Sequence, residues 1–95
     1  MIMQNSKQIE TLQTYLANLS PTYAEMSQFA VFVLDLHDTM VASMPEDQAK
    51  AFFHEAIQAE VLLSEIHDID PKIITAENFK IFVSVIEKCI EIIKG

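Results

Sequence analysis

Three polar side chains, Asp35, His37 and Asp38, interrupt the most apolar stretch of the chain, VFVLDLHDTM from Val31 to Met40. An imidazole beside carboxylates is a set that can move protons or ligate a metal. On a helix, the neighbours of His37 at three, four and seven residues are Ala30, Val33, Leu34, Met40, Val41 and Met44, all apolar. Asp35 and Asp38 share a side with Thr39 and Ala42 and are expected to reach water. The stretch thus separates into one inward histidine and two outward acids.

A second acid has an apolar setting. The helical neighbours of Glu60 are Phe53, Ala56, Ile57, Leu63, Ser64 and His67. A carboxylate held there without a partner is costly, so a partner is expected. His37 is the nearest candidate, since the two fall near the middles of consecutive helices, and His67 extends the cluster by two turns. Such a pair also serves to fix register between two copies. Di-metal helix bundles carry Glu-x-x-His pairs with further glutamates. Here Glu65 precedes His67 by two residues and His54 adjoins Glu55, so that signature is absent. No metal and no cofactor are expected; the residues that would hold a metal are His37, Glu60 and His67.

Other chemistries are excluded more firmly. The single glycine is Gly95, which leaves no phosphate-cradling loop and no dinucleotide fingerprint. The single cysteine, Cys89, allows no intrachain disulfide and no cysteine-cluster zinc site. Its helical neighbours Phe82, Val85, Ile86, Ile92 and Ile93 predict an inert, buried thiol. No serine, threonine or cysteine has a base and an orienting acid at a recognisable spacing, so no catalytic residue is assigned. Six lysines and no arginine stand against fourteen acids, a net charge of −8, which argues against direct contact with nucleic acid.

Those residues must be positioned by helices. Ile9, Leu12, Leu16 and Leu19 recur at three and four, predicting a helix over 6–19. Ser20-Pro21 reads as a cap and first helical position for a second helix running to about Ser43. Ser43 and Glu46 have capping-box spacing for a third, with Ala49, Phe52, Phe53, Ala56, Ile57, Leu63 and Ile66 on its apolar face. It should stop in HDIDP, because the residue before a proline is pushed out of helical geometry. Thr75 caps a fourth helix burying Phe79, Phe82, Val83, Ile86, Ile90 and Ile93, with Lys80, Ser84, Glu87 and Glu91 in water. The expectation is an all-α, four-helix antiparallel up-and-down bundle, a single domain over 1–95, dimeric because the apolar arcs of the second and fourth helices are too broad for one neighbour.

No segment approaches a bilayer-spanning length, and the amino terminus lacks a signal-peptide pattern, so a cytoplasmic protein without membrane contact is expected. Small size, apolar surface, acidic charge and missing catalytic motifs lead to a non-enzymatic module that binds another protein: an adaptor, inhibitor, immunity protein or secretion chaperone. Its interaction residues are expected among His37, Met40, Met44 and Glu60. The alternatives are an enzymatic or metal-binding bundle using His37, Glu60 and His67, and an acidic regulator masking a nucleic-acid-binding protein.

Overall fold

A computed structural model describes the backbone of residues 2–94 and the side chains of residues 7–94. These residues form four α-helices, α1 (Ile2–Ala17), α2 (Tyr23–Met40), α3 (Glu46–Ile69) and α4 (Ala76–Lys94), with a 3₁₀ turn at Val41–Ser43. The 24 residues of α3 span about 36 Å at the helical rise, most of the molecule's 41 Å length, so α3 lies lengthwise in the molecule.

The helix boundaries depart from expectation at several points: α1 runs Ile2–Ala17 rather than 6–19, α2 gives way at Met40 to a 3₁₀ turn that carries the chain to Ser43, and the starts of α2 and α3 are capped differently. The second helix is capped by Thr22, whose Oγ1 accepts from Glu25 N at 3.3 Å. Glu25 Oε1 in turn accepts from Ser20 N, so Ser20-Pro21 lies outside the helix rather than starting it. The third helix starts at Glu46 behind Pro45, and no side chain caps it. Ser43 does not form the expected box with Glu46, because its hydroxyl donates backward to the Met40 carbonyl at 3.0 Å. Asp70, in an extended conformation before Pro71, ends α3 within HDIDP, and its carboxylate accepts from Lys72 N. Thr75 Oγ1 accepts from Asn78 N at 3.0 Å and caps α4 as its spacing predicts.

Packing follows three narrow seams. In α3 the buried residues are Ala49, Phe52, Ala56, Ala59, Leu63 and Ile66, alternating by three and four. The same alternation runs through Met26, Phe29, Val33, Leu36 and Met40 in α2, and through Phe82, Ile86, Cys89 and Ile93 in α4. The third helix packs against both α2 and α4, and α1 packs against α4. Tyr15 of α1 stacks on Phe29 of α2 at 4.5 Å and closes the ring of four. Phe29 meets Phe82 edge-on at 6.3 Å across the centre. Each such phenylalanine, fully withdrawn from water, contributes about 1.5–3 kcal/mol.

The seams are narrower than the apolar stripes written in the sequence. Phe53, expected on the buried face of α3, is exposed, and Ala59 takes a place in the core instead. Phe79 and Val83 in α4 are half-buried rather than buried, whereas Lys80, Ser84, Glu87 and Glu91 face water as expected. Apolar side chains left outside the seams, among them Val31, Val41, Phe53 and Val61, furnish the surface with its hydrophobic features.

Candidate functional site

Where α2 gives way to the 3₁₀ turn and α3 begins, the chain leaves an open groove of about 660 Å³. It is lined by His37, Val41, Met44, Glu46, Ala49, Lys50, Phe53, His54 and Ile57. Two sides build it: His37 at the end of α2 with Val41 of the 3₁₀ turn and the extended Met44 on one, and Ala49, Phe53 and Ile57 of α3, at helical spacings of four, on the other. Met44 and Ala49 are buried, while Val41 and Phe53 keep 41% and 44% of their surface in water. The surface is mostly apolar, with Glu46 and Lys50 joined across its edge at 3.2 Å.

His37 is inward, as its neighbours predict, with 13% of its side chain exposed. Its ring lies 5.0 Å from that of Phe53 and 5.8 Å from that of Phe52. The polar partner of Nδ1 is the exposed Asp38 next to it, at 3.4 Å, near the long limit for a hydrogen bond. Asp35 is exposed, and Met40 lies in the core beneath.

The expected approach of Glu60 to His37 does not occur. Glu60 is half-buried in a separate groove of about 270 Å³, with Tyr23, Ser27, Leu63, Ser64 and His67. The reason is register. Tyr23 at the start of α2 meets His67 near the end of α3, with rings 5.8 Å apart, and His37 near the end of α2 meets Phe52 and Phe53. Glu60 therefore lies about two turns along α3 from the level of His37. It faces small polar groups that let it reach water, which removes the need for a buried partner. The trio His37, Glu60 and His67 is split between two grooves, and among the described residues no three His, Cys, Asp or Glu side chains gather as a metal site would need.

The second groove holds a carboxylate, an imidazole and three hydroxyls, groups that bind polar ligands and exchange protons. No hydrogen bond among the described residues links Ser27 or Ser64 to His67 or Glu60, so neither hydroxyl is activated there. Cys89 is fully withdrawn from solvent. Burial, with the Glu55 carboxylate adding to it, pushes its thiol from 9.0 up to about 12, so it stays protonated and unreactive at neutral pH.

Sequence reasoning named His37 and Met44 but missed Phe53 and Val41 as exposed features. A signal was present: adjacent Phe52 and Phe53 point about 100° apart on a helix, so one narrow seam cannot bury both. Among the described residues no helix is long and apolar enough to cross a membrane. No protein-family model, curated protein or solved structure matches this chain.

Proposed function

We propose that this chain is a small, acidic, non-enzymatic module that binds another protein in the cytoplasm, acting as an adaptor, inhibitor, immunity protein or secretion chaperone. We read it as a four-helix antiparallel up-and-down bundle whose working face is the apolar groove. The observation that carries this reading is the exposure of Phe53 and Val41 above a floor of Met44 and Ala49. Apolar side chains at that exposure, gathered in one concavity, favour a partner that covers them. His37 and Met44 contribute to that face, Met40 supports it from the core, and Glu60 belongs to the opposite end of the seam. Excess negative charge and the lack of arginine favour a protein partner over nucleic acid.

Photo-crosslinking in the native cell tests the reading. A crosslinker placed at position 53 or 41 should capture one defined protein, and one placed at Glu65 should not. Equal capture from all three positions overturns it.

Self-association is a second reading, favoured by Ile69 and Ile73, which are 85% and 61% exposed at the α3–α4 turn. A second copy covering that tip gives a homodimer. Light scattering should then find a dimer that Ile69→Asp converts to monomer; a monomeric wild type removes this reading.

A further inference from the structure

Resting on the reading of the groove as the working face, we infer that its occupant is a basic amphipathic helix of a different protein. Shape is the first reason. The row Ala49-Phe53-Ile57 is a ridge of α3, and His37 of α2 with Val41 and Met44 of the turn that follows it form the facing wall of an open trough. An apolar trough running along a helical ridge is matched by an incoming helix presenting apolar side chains at i, i+3 or i+4, and i+7. From Glu46 to Ile57 it runs about 16 Å, the length of three helical turns.

Charge is the second reason. Among the described residues one lysine, Lys50, lines the trough, where it pairs with Glu46 at 3.2 Å, and the exposed His54 lines it beside them. Asp38 stands 81% exposed at the His37 end, and Asp47 is exposed beside Glu46 in the first turn of α3. Just outside the lining residues the surface therefore offers carboxylates, on a chain that carries −8 overall and has no arginine to grip an acidic partner. A second copy would bring the same acidic surface against this one, and the like charges would oppose it. An incoming helix with lysines or arginines flanking its apolar face meets both features: leucine-like anchors in the trough and cations against Asp38 and Asp47.

The probes are two synthetic helical peptides of about 14 residues, the length of four turns, with leucines at i, i+3, i+4 and i+7. One carries lysine at every other position and its twin carries glutamate. Binding is read by fluorescence anisotropy, and the site by amide shifts in NMR spectra of the full chain. The lysine peptide should bind and move the amides of Val41, Met44, Ala49 and Phe53, while the glutamate peptide should not bind. Phe53→Asp should weaken the lysine peptide by about tenfold or more, as loss of a central anchor does. Ile81→Asp, on exposed α4 surface outside the trough, should leave it unchanged. Both variants alter exposed positions, and circular dichroism verifies their helicity.

Phe53→Asp adds negative charge, so unspecific attraction predicts equal or tighter binding to that variant; either result overturns the inference. Trough shifts with the glutamate peptide as well, or a concentration-dependent dimer dissolved by Phe53→Asp, overturn the basic helix yet keep the groove as a working face. Shifts confined to other surfaces, or none with either peptide, overturn the inference; crosslinking from positions 53 and 41 then decides the groove separately.

Discussion

His37 and His67 sit near opposite ends of the same α2–α3 seam and have opposite surroundings. His37 lies against Phe52 and Phe53 at the edge of an apolar trough, with an adjacent aspartate as its polar contact. His67 lies against Tyr23 among hydroxyls and the Glu60 carboxylate. Between them runs one continuous row of buried alanine, phenylalanine and leucine. The difference teaches that the seam and its flanks are separately encoded. Residues spaced by three and four fix which helices pack, and the positions beside them decide what each end presents to its surroundings.

The sharpest way to break this contrast is to truncate neighbours that differ only in which side of the seam they occupy. Phe52→Ala should cost about 3–5 kcal/mol in urea unfolding, whereas Phe53→Ala should cost about 1 kcal/mol or less. Similar losses would make the trough part of the core and end the distinction. Cys89 provides a measure of how dry the core is compared with either groove. Its thiol ionises near 9.0 when unfolded and is pushed up to about 12 in the fold, so the folded state retains the proton longer. Stability is fully present below 9.0 and falls as pH rises toward about 12, by up to about 1.4 kcal/mol per pH unit. Cys89→Ala should flatten that part of the pH profile; an unchanged slope assigns it to other groups.

Smaller effects sharpen the two ends. Thr22→Ala removes a cap at the polar end and should cost about 1 kcal/mol. Ser43→Ala, at the apolar end, removes only a backward contact to Met40 and should stay within about 0.5 kcal/mol. Comparable losses from these two would show that Ser43 holds the start of α3 after all. Smallest is Lys50→Ala, which breaks a solvent-exposed pair with Glu46 and should move stability by no more than about 0.5 kcal/mol.

What the sequence discloses depends on whether the cause is local. Thr75 and the HDIDP stop are decided within four residues, and both lie where their spacing puts them. The start of α2 is equally local, yet three hydroxyl or proline signals stand in a row, and Thr22 with Glu25 three residues on outcompetes Ser20-Pro21. The burial of His37 and Cys89 follows from their own helices. Glu60 does not follow, because its neighbours across the seam are Tyr23 and Ser27, and that register is set by two helices together. The same holds for Phe53: its own face is apolar, but the width of the buried strip is set by how closely α2 and α4 approach.

Gln48, one residue from the trough's floor, gives that face a reach beyond itself. Its amide nitrogen donates to the Ile92 and Ile93 carbonyls at 2.6 and 3.2 Å, acceptors that the last turn of α4 cannot satisfy alone. A cap supplied from 44 residues away ties the fraying of one helix's end to the order of another's beginning. On the proposal that a partner helix fills the trough, its binding should steady the first turns of α3, and the amide hydrogens near the carboxyl end of α4 should then exchange more slowly, reporting a visitor they never touch.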